Sequence, residues 1–104
     1  MPENKIGFTV MYHHPDDRKK FDKRYKKHLD VFEENVRNAV ESSEVLKVDD
    51  AVFYQMAIVK LKPGTDFDAL MNSPEMKNVV DDVLDFVPED KLKVFPITQT
   101  LYES

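Results

Sequence analysis

The side chains of this sequence best suited to moving a proton or holding a polar ligand are three histidines and four tyrosines. His28 stands out by its spacing. Phe21, Tyr25, His28, Leu29, Phe32 and Val36 fall on one stripe at a helical period, while Arg18, Lys19, Lys23, Lys26 and Lys27 fall elsewhere, so this imidazole sits among apolar and aromatic neighbours. Histidine titrates near the working pH of a cell, which suits a proton acceptor or a hydrogen-bond donor facing a pocket between helix and sheet. Tyr25 lies one helical turn away and can share that pocket through its hydroxyl. Tyr12 and Tyr54, on strands, are the candidates for the opposite wall. The simpler reading has His28 as a packed residue whose nitrogens are satisfied by backbone or water.

Other chemistries find less support. His13 and His14 are adjacent, so on a strand their rings point to opposite faces and cannot ligate one ion; His28 has no partner at ligand spacing, and no metal site is expected. Gly7 and Gly64 are the only glycines, and neither opens a glycine-rich phosphate loop. Ser42, Ser43, Ser73 and Ser104 lie at helix ends, in loops or at the terminus, with no serine on a sharp elbow for acyl transfer. The absence of cysteine excludes disulfides, thiolate metal sites and a cysteine nucleophile. No cofactor is expected.

At 104 residues the chain reads as one domain spanning 1–104, able to bury about two-thirds of the surface of its unfolded form. The opening MPENKIGFTVMYHH has no secretory pattern, and no apolar run approaches the roughly 20 residues that cross a bilayer, so the expectation is a soluble cytoplasmic protein without a membrane partner. A net charge of −5 argues against nucleic-acid binding. The basic run RKKFDKRYKK is interrupted by Phe21 and Tyr25 at i, i+4 spacing and reads as a solvated helix face.

The elements that must position these residues follow from pattern and punctuation. Ile6, Phe8, Val10 and Tyr12 alternate with Gly7, Thr9, Met11 and His13, a strand over about 4–13. Pro15 ends it, and Asp16 is placed to cap a first helix that continues to about Val40. A short strand over 44–49 and a turn at Asp49-Asp50 lead to the strongest strand, 51–62, apolar on both faces, which calls for helices on one side and a second sheet on the other. After the Pro63-Gly64 turn, Thr65 and Asp68 have capping-box spacing for a short helix through Met71, and Ser73-Pro74 restarts a helix striped by Met76, Val79, Val80, Val83 and Leu84. A loop over 87–90 precedes a last strand, 91–102, in which Pro96 argues for an edge or a bulge. The order is β-α-β-β-α-β, the ferredoxin-like α+β arrangement with an antiparallel sheet.

The strand Phe8 to Tyr12 with its proline-aspartate turn, the spacing Phe21, Tyr25, His28, the aromatic strand around Phe53-Tyr54 and the restart Asn72-Ser73-Pro74-Glu75 together resemble the EthD-like members of the dimeric α+β barrel superfamily. The resemblance covers most of the chain. It implies a homodimer whose sheets pack face to face into a barrel, and a pocket between helices and sheet in each protomer. His28 then matches the family's helix histidine in the catalytic position, with Tyr12, Phe21, Tyr25 and Tyr54 as ligand-binding residues. EthD-like relatives often carry a proline two residues after that histidine; here the position is Asp30, which lengthens the helix and alters the pocket. Barrel relatives include isomerases, cyclases, cofactor-free monooxygenases, haem-degrading enzymes and peroxidases, so the fold does not choose a reaction. The function implied is a cofactor-free enzyme or auxiliary protein acting on a small apolar oxygenated compound. The alternatives are a non-catalytic dimeric ligand-binding or structural module and a haem-binding barrel.

Overall fold

Alternation along the first strand sets the architecture. In the computed structural model, which describes the backbone of residues 3–101 and the side chains of residues 5–100, strand β1 is Glu3–His13. Phe8 and Tyr12 are buried beneath helices, and the intervening Thr9 and Met11 face the other way. The chain then runs through helix α1 (Arg18–Val36), strands β2 (Val40–Lys47) and β3 (Phe53–Leu61), helices α2 (Phe67–Met71) and α3 (Pro74–Leu84), and strand β4 (Leu92–Leu101). The four strands form one antiparallel sheet in the order β2-β3-β1-β4. The ferredoxin-like α+β architecture expected from the sequence is the one observed, with β4 and its Pro96 on an edge. Tyr102, expected at the end of that strand, lies outside the described residues.

Local chemistry explains where several boundaries depart from expectation. Asp17, not Asp16, caps α1: its Oδ1 accepts from the Lys20 amide at 3.1 Å. The helix stops at Val36, not Val40, giving way to a single 3-10 turn over Arg37–Ala39. The apolar stripe concealed this end because Val36 and Val40 meet the same core from two elements, Val40 as the β2 residue paired with Leu61. Accordingly β2 begins four residues earlier than its polar sequence announced. Asp66 caps α2 by accepting from the Ala69 amide at 3.0 Å, while Thr65 turns its hydroxyl back to the Lys62 carbonyl instead of forming a capping box. The expected loop over 87–90 contains part of a one-turn 3-10 helix, Glu89–Lys91. Ser73 and Pro74 start α3 as read.

The three helices cover one face of the sheet, over two adjoining clusters. Phe8, Val36, Val59, Leu61, Met76 and Val79 form an aliphatic one with a single aromatic ring. Tyr12, Phe21, Tyr25, Ala57, Val83 and Val87 form an aromatic one. The opposite face carries the residues in register with Thr9 and Met11, namely Ile58 and Met56 on β3 and Phe95 on β4, with Leu46 of β2 opposite Met56. Phe95 is 48% exposed there. No helix among the described residues is long and apolar enough to cross a membrane.

Candidate functional site

His28 is held by a neighbouring helix. It sits on α1 one turn past Tyr25 and is only 5% exposed. Its Nδ1 lies 2.8 Å from Oδ2 of Asp82, which α3 places beside the apolar stripe of Val79 and Val83. Asp82 is in turn gripped by Arg24, one turn before His28, with Nη2 2.7 Å from Oδ1 and Nη1 3.2 Å from Oδ2; Arg24 also reaches Asp85 at 3.3 Å. A bidentate guanidinium–carboxylate pair fixes the plane of the carboxylate as well as its charge.

These contacts determine the protonation state. The Arg24 guanidinium holds the Asp82 carboxyl below the usual carboxylate range, with the His28 contact acting in the same direction, so Asp82 is ionised and can only accept. Burial pushes His28 down from its ordinary value against the opposing pull of Asp82, so the ring is neutral at pH 7. The proton of a neutral ring must then be on Nδ1, donated to Asp82. Nε2 is left as a bare lone pair with no partner among the described residues.

A cavity of about 130 Å³ adjoins this ring, walled by Phe8, Val10, Ala57 and Val59 of the sheet and Met76, Val79 and Val83 of α3. Tyr12, Tyr25 and His28 are its principal polar residues on the aromatic side. The Tyr12 ring meets Tyr25 edge-on at 5.5 Å, and Tyr25 stands 5.6 Å from the His28 ring. Burial pushes both phenols up, Tyr12 further through its neighbour Tyr25, so both keep their protons and can donate. An acceptor nitrogen and buried hydroxyls in an apolar chamber are the elements of proton abstraction next to an oxygen-bearing group. About 130 Å³ accommodates only a few heavy atoms and does not fit a haem.

Of the residues proposed from sequence, Tyr12, Tyr25 and His28 line the chamber, Phe21 packs on both tyrosines at 5.7 and 5.8 Å from outside it, and Tyr54 stands apart. Tyr54 was expected on the opposite wall. A bulge between Tyr12 and His13 instead turns it toward the start of α1, where its hydroxyl donates to Asp22 at 3.0 Å and Lys47 lies 4.0 Å over its ring. Phe21 packs between Tyr12 and Tyr54 and lines a separate cleft of about 580 Å³ at the end of the sheet. His13 and His14 also line that cleft. Their rings pack on different partners, Phe53 and Tyr54. Asp30 is exposed, and α1 continues six residues beyond it. Arg24 and Asp82 were missed: they lie 58 positions apart in sequence, and only a carboxylate flanking the stripe of α3 hinted at the second.

An EthD family protein from Bacillus halodurans superposes with a TM-score of 0.74 at 19% identity, over 89% of this chain and 96% of that one. The chain has the ferredoxin-like fold. A dimeric ferredoxin-like protein of unknown function from Jannaschia gives a TM-score of 0.65 at 9% identity, covering 88% and 97% of the two chains. A hydroxynitrile lyase from Passiflora edulis gives 0.61 at 12%, covering 100% and 98%. The EthD-like character read from the sequence is thus matched by a ferredoxin-like structure of the same kind, and at these identities the likeness is one of fold. No protein-family model and no curated protein sequence matches the chain.

Proposed function

We propose that this protein is a homodimeric, cofactor-free enzyme or auxiliary protein acting on a small apolar oxygenated compound. In this reading Nε2 of His28 accepts a proton or a hydrogen bond from the ligand, and Tyr25 or Tyr12 donates to its oxygen. The observation that carries the proposal is the Asp82–His28 contact at 2.8 Å, which leaves the basic nitrogen of a neutral ring without a partner beside an apolar cavity. A lyase on a similar fold is in keeping with chemistry performed by side chains. The dimer is inferred from the uncovered sheet face, where Met11, Met56, Ile58 and Phe95 would be buried by a second sheet. Proteins of similar fold described as dimeric support it.

In the alternative, a non-catalytic dimeric module, the Arg24–Asp82–His28 network is only a tie between α1 and α3. Ligand-observed NMR against a panel of small neutral ethers, ketones, esters and aromatic alcohols separates the two. The expected outcome is that His28→Ala abolishes binding of the compounds the wild type selects while light scattering still gives a dimer. Unaltered binding by His28→Ala would leave the module reading, and a wild-type monomer at micromolar concentration would sink the sheet-to-sheet dimer.

A further inference from the structure

The chamber at His28 and the cleft at the end of the sheet meet across a row of rings. Phe21 of the cleft packs on Tyr12 and Tyr25 of the chamber at 5.7 and 5.8 Å, and Phe86 packs on His28 itself. Phe86, in the segment just after α3, lines the cleft but not the chamber, whereas His28 lines the chamber but not the cleft. The Phe86 ring meets the His28 ring edge-on at 5.8 Å, leans on Phe21 at 5.7 Å and carries the Arg24 guanidinium 4.5 Å from its centroid. Its backbone is tied only locally, through its amide to the Val83 carbonyl at 3.2 Å. The two volumes also differ in kind. About 130 Å³ lies below the range of ordinary small-molecule sites, while about 580 Å³ falls within it.

We propose that the cleft is the second chamber of the ligand site, holding the body of a neutral aromatic or aliphatic compound whose oxygen-bearing end reaches His28, with Phe86 as the partition that must turn aside. This rests on the reading of His28 given above. The chemical class follows from the lining. Phe21, Val87, Pro15 and Pro88 supply an apolar floor, while Lys20, Arg24 and Lys91 are balanced at the rim by Asp16, Asp17 and Asp85, so the cleft selects no net charge. The cleft also contains unpaired polar groups. The Asp50 carbonyl can only accept, so His14 donates to it through Nε2 at 2.7 Å, while its Nδ1 is buried without a partner; Nε2 of His13 is likewise buried and unpaired.

The test measures access to His28 independently of any turnover. Diethyl pyrocarbonate carbethoxylates an unprotonated imidazole nitrogen with loss of ethanol and carbon dioxide, and peptide mass spectrometry separates the rates at His13, His14 and His28. In the wild type His28 is expected to react slowly. Phe86→Ala should accelerate it at least tenfold, Phe86→Leu should do so to a smaller extent, and Phe86→Trp should slow it, with His13 and His14 changing less than twofold throughout. A His28 rate indifferent to Phe86, or slowed instead by Leu84→Trp, at a residue that lines the inner chamber but not the cleft, would overturn the proposal. So would a uniform acceleration of all three histidines, the mark of a loosened fold. Loss of ligand binding in His28→Ala bears on the role of His28 alone, so the two readings fail separately.

Discussion

The two halves of the helix-covered face use the same sheet to different ends. Around Leu61 the core is Val36, Val59, Met76 and Val79 with Phe8, apolar side chains that pack on one another and of which Phe8, Val59, Met76 and Val79 also wall the chamber. Around Tyr12 it is Phe21, Tyr25, Val83 and Val87, with His28 and Gln55 buried alongside and the Arg24–Asp82 ion pair, hydrogen-bonded to His28, crossing from α1 to α3. An interior that needed only to be stable would repeat the first pattern, because burying phenols, an imidazole and an amide costs desolvation that hydrogen bonds must offset. The contrast puts the polar groups at one end of the fold and purely apolar packing, including much of the chamber wall, at the other.

Substitutions should separate the ends, and the largest effect belongs to the aliphatic one. Leu61 is 1% exposed, and Leu61→Ala should lower stability by about 3 kcal/mol in chemical denaturation while leaving the His28 titration where it was. A shifted titration would mean that the halves are coupled. Asp82→Ala should cost about 1–2 kcal/mol, less than a fully buried partner would because Asp82 is partly exposed, and should lower the His28 pKa further by removing the contact that raises it. Tyr12→Phe should cost about 1 kcal/mol and weaken ligand binding more than folding.

The pH dependence of stability carries the same signature. Burial holds His28 below the ordinary value of about 6.5, so the unfolded chain binds a proton that the folded one refuses. Stability from this group is therefore present above about pH 6.5 and is lost as the pH falls from there through its lower folded value, beyond which the loss is complete. The ionised Asp82 contributes in the same direction at more acid pH, its share being lost as the pH falls below about 4 through its depressed value. Urea titrations from pH 7 to pH 3 should show both phases in the wild type. His28→Gln should lack the first.

Much of this arrangement was legible in the residues. Period-2 alternation in β1 and β3, the stripe of Phe21, Tyr25 and His28, and the Ser73-Pro74 start are local signals, and each appears where it was read. The strand β2 was half hidden because its run Glu41 to Glu44 is polar and exposed, carrying no burial pattern to detect. The end of α1 was hidden for the opposite reason, since Val36 and Val40 keep helical spacing while belonging to different elements. Tyr54 was displaced by a bulge, which depends on register between strands and leaves no trace in a single one. The triad is the clearest case. Arg24 looked like one more cation in a basic run and Asp82 like one more surface acid. Only the packing of α3 on α1 brings them to His28.

The central claim is that Asp82 holds a neutral His28 with Nε2 bare, and nitrogen-15 NMR of the imidazole ring reads this directly. At pH 7 the account predicts a protonated, pyrrole-like Nδ1 and an unprotonated, pyridine-like Nε2, with a titration midpoint below about 6.5. A proton on Nε2 at that pH, whether in the other tautomer or in the imidazolium, would contradict it.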